Sequence, residues 1–220
     1  MADNFDIIQL LLMLIPLLFS VTLHEVAHGY VAYKMGDNTA MLAGRLTLNP
    51  IKHLDFTGSF LLPLILKISG APFLFGYAKP VPVNFNNLHD HKRAVIFVAS
   101  AGVAVNLILA LLSALMFRGL NLIEPLCQAS IFSSLFSLFS VMLFYSTVIN
   151  CVLAVFNTIP VPPLDGSRVL AIFLPRNLRI KYMQVERFGM LIIILLLVSN
   201  VLDKILTFFL NPMLKLLLGV

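Results

Sequence analysis

Tryptophan is absent from this 220-residue chain, and only two cysteines occur, Cys127 and Cys151. One falls in an expected loop and the other deep in an apolar run, so no disulfide between them is expected, and they say little about redox compartment. Charge is also scarce. Asp, Glu, Lys and Arg supply 11% of the residues, where a soluble domain carries roughly a quarter. That shortage excludes an ordinary soluble domain. Acidic residues number 10 against 15 basic ones, for a net charge of +5. Nucleic acid is not the implied partner, because the basic residues lie between apolar segments, where they act as topology signals facing an anionic leaflet. No repeat, low-complexity segment or soluble second domain is visible. What fills the chain is hydrophobic, at 60% with a mean hydropathy of +0.97. The expected class is an all-α polytopic membrane protein, with residues 1–220 forming a single membrane-embedded domain.

In chain order, the start (Met1 to Asp6) is acidic and lacks the basic region of a signal peptide, so the first span is expected to be retained. That span runs from about Phe5 to Tyr33. Lys34 to Arg93 carries seven basic residues and is expected in the cytoplasm, which puts the N-terminus outside. Within it, Phe56 to Leu66 is apolar but short and has basic flanks, which fits a re-entrant or interfacial segment. Gly76 to Asn84 has prolines two apart and reads as an extended strand or loop. It is either an edge that receives an extended substrate or a plain connector. The second span covers about Ala94 to Phe117, and Arg118 to Ser130 forms a short external loop. The third covers about Ile131 to Phe156 and ends at Asn157-Thr158-Ile159-Pro160-Val161-Pro162-Pro163-Leu164-Asp165-Gly166. A second basic block follows, from Arg168 to Arg187, again cytoplasmic. The core thus occupies about residues 5–175, and the apolar stretch 188–220 is one tilted span or a hairpin.

Against this apolar background, His24-Glu25-Val26-Ala27-His28 places three ionisable residues within five positions of the first span. Ionisable residues inside a membrane are expensive and mark function. Histidines four apart on a helix share a face and can reach one metal ion. The H-E-x-x-H pattern is that of zinc proteases, with histidine ligands and the glutamate as general base. His24 lies roughly 15 Å below the end of its span, so hydrolysis there needs a water-filled cavity. The pattern still lacks a third ligand. Asp165, returned to the same side behind its prolines, is the candidate, with a helix N-cap as its other reading. Asn106 reads as helix glue or as a residue near the metal. His53, His89 and His91 are expected to be loop histidines rather than a second metal site.

Taken together, His24-Glu25-Val26-Ala27-His28 and Pro163-Leu164-Asp165-Gly166 resemble the site-2 protease family of intramembrane zinc metalloproteases. Asn49-Pro50 with His53-Leu54-Asp55 and Gly58, the Ala78-Lys79-Pro80-Val81-Pro82-Val83 loop, Gly102 with Asn106, and Asn157 with Pro160 extend the resemblance over most of the chain. It implies a three-span catalytic core, one zinc per chain on His24, His28 and Asp165, and Glu25 as catalytic base. The chain looks like a compact member without an inserted PDZ or nucleotide-sensing domain. The expected function is a zinc endopeptidase cutting in or near the transmembrane segments of membrane-protein substrates. Asn106 or Asn157 would steady the oxyanion or the substrate backbone. A prokaryotic plasma membrane is the expected location, with the active site towards the cytoplasm. A zinc transporter and an inactive binding partner are the alternatives.

Overall fold

The computed structural model describes residues 7–68, 76–127 and 133–219, and every regular element among them is helical. The principal helices are α1 (Ile7–Lys34), α2 (Thr39–Leu42), α3 (Leu62–Ile68), α4 (His91–Cys127) and α5 (Ser133–Thr158). After the proline turn come α6 (Asp165–Phe173), α7 (Arg176–Gln184), α8 (Gly189–Val198) and α9 (Val201–Leu218). Three stretches are long and apolar enough to cross a membrane by themselves: Ile8–Lys34, His91–Ile123 and Ser133–Thr158. These are the three expected spans. Phe56–Leu61 forms a π-helical turn that runs into α3, and the pair is too short to join them. Gly76 to Asn84 forms no strand; it is extended loop.

α4 is the hub, packed against α1, α5, α6 and α9. Its buried face is built from Ala94, Ala99, Ala101, Asn106, Ala110 and Ala114. In a bilayer no hydrophobic force drives helices together, so small residues that let backbones approach supply the packing. The opposite face exposes Leu107, Ile108, Leu111, Leu112 and Leu115, as a lipid-facing surface does.

One expectation needs revision, and another gains a shape. Arg118 to Ser130 was expected to be a loop, but α4 continues through Cys127; residues 128–130 and the expected start of the third span at Ile131 lie outside the described residues. The extension is supported by long-range contacts that local sequence does not reveal. Arg118 Nη2 donates to the Leu216 carbonyl at the end of α9 (2.7 Å), and Ser140 on α5 donates to Asn121 (3.2 Å). The apolar C-terminal stretch, expected as one tilted span or a hairpin, lies in a bent pair of helical segments. Its arms, Arg176–Val198 and Val201–Leu218, diverge by 76°. Asn200 makes the bend with a left-handed φ of 57°, a conformation asparagine tolerates better than most residues.

Just past α1, the fully buried Asp37 fastens the extended segment to that helix. Its carboxylate accepts from Thr39 N and Oγ1, Asn84 N and Asn87 Nδ2 at 2.5–3.2 Å. Burial alone would raise its pKa, but these four donors outweigh burial and hold it below the ordinary carboxylate value. A depressed folded-state pKa adds stability above the unfolded value near 3.9, and that stability is lost as pH falls through the folded value. Asp37→Ala is expected to cost about 2–3 kcal/mol near pH 7 and to flatten the loss of stability below about pH 4. Thermal unfolding in detergent across that range tests both; an unchanged acid limb would remove Asp37 as its source.

Candidate metal centre

α1 places His24 and His28 one turn apart on its inner face, where both are buried. Three prolines end α5, and the chain then re-enters helix at Asp165, the first residue of α6. Asp165 caps nothing: Leu164 holds the N-cap position, without a side-chain bond. Gly166 allows this return, since a Cβ there would lie 2.1 Å from the Thr158 carbonyl oxygen. The turn thereby carries the Asp165 carboxylate into contact with both histidines. His24 Nε2 and His28 Nε2 are 3.0 Å apart, and Asp165 Oδ2 lies 3.3 Å from the first and 3.1 Å from the second.

The tautomers follow from what the other ring nitrogens touch. His28 Nδ1 donates to the Val98 carbonyl (2.7 Å), and His24 Nδ1 donates to Asn106 Oδ1 (2.6 Å). A neutral imidazole with its proton on Nδ1 presents a lone pair at Nε2. Two lone pairs and a carboxylate oxygen therefore face one another, and Asp165 Oδ2 is buried without a hydrogen-bond donor. A cation held between the three atoms would satisfy all of them at once. The edges of 3.0–3.3 Å also suit a tetrahedral ion, for which metal–ligand distances near 2.0–2.1 Å imply edges of roughly 3.3 Å. Among the described residues this is the one such group of metal-capable side chains. The expectation of loop histidines does not hold for two of the three: His53, buried at the end of a short helical turn, bonds the Thr47 carbonyl, and His91, the first residue of α4, bonds the Phe85 carbonyl; neither joins a second metal group among the described residues.

Behind the histidines runs a polar chain that the sequence did not disclose. Asn106 Nδ2 donates to Asn150 Oδ1, and Asn150 Nδ2 donates to Ser20 Oγ, both at 2.8 Å. Asn106 is fully buried, with its oxygen turned to His24. Such outer partners fix the orientation and basicity of a ligand. Asn106→Ala is expected to weaken metal affinity by about 10–100-fold, measurable by competition with a chelator. Unchanged affinity would reduce Asn106 to helix glue. Asn157 does not join this group; its Nδ2 donates to the Leu153 carbonyl of its own helix. It does line a cavity of about 340 Å³ beside Asp165, with Ser100, Val103 and Thr158. Val103 and Thr158 also line a second, apolar cavity of about 360 Å³ that α9 covers with Ile205, Phe209 and Met213.

Glu25 lies off this triangle. Its Oε2 accepts the backbone N–H of Val81 at 2.7 Å, which ties it to the proline-flanked segment. No sequence signal links those two residues beyond their presence in separate motifs.

The chain is similar to known proteins over most of its length. A protein of Bacillus subtilis named "Putative zinc metalloprotease YwhC" is 38% identical over 187 residues, which cover 85% of this chain and 80% of that protein. "Putative zinc metalloprotease Rip2" of Mycolicibacterium smegmatis is 28% identical over 85% of this chain and 66% of its own length. Its namesake in Mycobacterium tuberculosis is 30% identical over 70% of this chain, but the match spans only 53% of that longer protein. No solved structure matches the chain. The sequence model described as Peptidase family M50 matches residues 12–199. With the match running from the first span into the final apolar stretch, the protein belongs to peptidase family M50, the site-2 proteases.

Proposed function

We propose that this protein is a zinc endopeptidase that cuts membrane proteins within or next to their transmembrane segments. The single observation that carries this is the triangle of His24 Nε2, His28 Nε2 and Asp165 Oδ2, with Glu25 next in sequence to one ligand. Zinc held there supplies Lewis-acid polarisation of a carbonyl and lowers the pKa of water towards neutrality. The chain does the rest. His24, His28 and Asp165 hold the ion, while Asn106 and the Val98 carbonyl keep both rings in the Nε2-ligating tautomer. Glu25 takes a proton from the attacking water and passes it to the leaving amine. Asn157, which lines the cavity beside Asp165, meets the substrate backbone in this reading. A helical substrate must unwind locally first, because its carbonyls are engaged in helical bonds. The unit is one membrane-embedded domain.

The test is a comparison of membrane-protein fragments in cells carrying the wild type or Glu25→Gln. Fragments that vanish with the variant support the reading and name the substrates; identical fragment sets would remove it.

The basic blocks at Lys34 to Arg93 and Arg168 to Arg187 face the cytoplasm of a prokaryotic plasma membrane in this reading, with the N-terminus outside. The three spans then bring His24, His28 and Asp165 to one depth, as a single ion demands. Single cysteines, on a background lacking Cys127 and Cys151, decide it in intact cells. A cysteine at Asn121 is expected to react with an impermeant reagent and one at Asn177 is not; the reverse pattern would invert the topology.

A further inference from the structure

Between α3 and α4, the segment Tyr77 to Val83 has two unequal edges. Tyr77 N donates to the Gly58 carbonyl (3.1 Å), and Lys79 N donates to the His53 carbonyl (2.9 Å). On that same inward edge the Tyr77 carbonyl accepts from Ser59 Oγ, and the Lys79 carbonyl accepts from Arg45. Val81, next in this alternation, points its N–H at Glu25. The other edge belongs to Ala78, Pro80 and Pro82, and proline has no N–H to offer. Across Pro80 to Pro82, Val81 therefore carries the one backbone donor, and the catalytic candidate Glu25 occupies it. Val81 is held there by close packing: a Cβ on Gly29 would lie 2.7 Å from Val81 Cγ1. The segment is also fixed beyond Val81 by the Asn84–Asp37 bond (2.7 Å).

We propose that the Val81 N–H is the docking donor for the backbone of an extended, locally unwound substrate, and that Glu25 holds this donor until a substrate carbonyl takes it. The exchange does two things at once. It positions the substrate strand beside the metal ligands, and it releases the Glu25 carboxylate to face the attacking water. A peptide that remains helical has its carbonyls engaged and cannot make the exchange. Selection for unwound segments is thereby built into one hydrogen bond. Val81 acts as a positioning residue, through its backbone alone. This rests on the proteolytic reading above.

The test uses zinc-loaded, full-length protein and a pool of synthetic single-span peptides with Gly-Gly or Asn-Pro at mid-span. Glu25→Gln keeps an acceptor for Val81, whereas Glu25→Ala has none, and neither variant has a base. Glu25→Ala is expected to capture the peptides about fivefold more tightly than Glu25→Gln, the worth of one neutral hydrogen bond no longer in competition. Adding Val81→Pro, which removes the donor, is expected to erase that difference. Amide hydrogen exchange gives a second readout that needs no Val81 variant. Because Pro80 and Pro82 carry no amide hydrogen, exchange between Lys79 and Val83 reports Val81. That amide is expected to be protected in the wild type, fast in Glu25→Ala, and protected again when peptide is added to Glu25→Ala. Equal capture by the two Glu25 variants, capture by none, or a Val81 amide still fast with peptide bound would each overturn the proposal. Failure of the proteolytic reading looks different: the wild type itself would cut nothing.

Discussion

Glu25→Gln is expected to lower peptide-bond cleavage by about two to four orders of magnitude while zinc content and thermal stability stay at wild-type values. Glutamine matches glutamate in shape, and its amide oxygen still accepts the Val81 N–H, so the segment over the site keeps its anchor. The three atoms that converge as candidate metal ligands come from His24, His28 and Asp165, none of which changes. What is lost is proton affinity. An amide oxygen cannot take the proton of the attacking water, so the step that general-base catalysis accelerates goes unassisted. Metal analysis of the purified variant, beside turnover of a substrate found by the fragment comparison, separates the two properties. Turnover near that of the wild type would take Glu25 out of the mechanism. Loss of zinc would instead give it a structural part in the centre.

The second large effect comes from a single methyl group. A Cβ on Gly102 would lie 2.4 Å from His28 Nε2 and 2.5 Å from His24 Cε1, well inside contact distance. Neither ring can retreat easily. His28 is tied through Nδ1 to the Val98 carbonyl, and His24 through Nδ1 to Asn106. Gly102 also sits mid-helix in the packed face of α4, so its backbone has little freedom to yield. Gly102→Ala is therefore expected to weaken zinc binding on the order of 100-fold or more, beyond the usual loss from a supporting residue. Alanine is the better helix former, so the helix itself should not suffer. Gly119→Ala on the same helix is the control, because a Cβ there meets nothing within 4 Å. It is expected to leave zinc binding unchanged. Chelator competition on both variants decides the matter, and equal affinities would mean that the rings have room to shift.

How much of this the sequence discloses depends on how far apart the interacting parts lie. The H-E-x-x-H face is readable because helical periodicity alone brings positions 24 and 28 together. Asp165 is readable because prolines must end α5 at about the depth of the histidines, and a carboxylate follows directly. The three spans are readable from length and hydropathy. What stays hidden depends on the register between helices. Asn150 and Ser20 look like ordinary polar residues in apolar runs until α1, α4 and α5 are set side by side. Gly102 reads as a small packing residue, and only the assembled bundle puts two imidazoles against it. The continuation of α4 past Arg118 rests on a carbonyl almost a hundred residues later. The bond between Glu25 and Val81 joins two segments whose adjacency is set by Asp37 and Arg45, not by any pattern in either segment.

Because the proline turn delivers Asp165 so late in the chain, the candidate site is completed late in synthesis. A chain still emerging from the ribosome with only α1 inserted carries two imidazoles and an idle glutamate. Neither Asn106 nor the Val98 carbonyl has yet arrived to set the rings, and the third candidate ligand, the Asp165 carboxylate, is synthesised last of the three. If His24, His28 and Asp165 share one zinc, tight metal binding begins only after α4 and α5 have been threaded and the chain has turned back at Gly166. Hydrolytic power would then appear last, in a bundle already closed around it. A half-built copy would pass through the insertion machinery without the means to cut its neighbours.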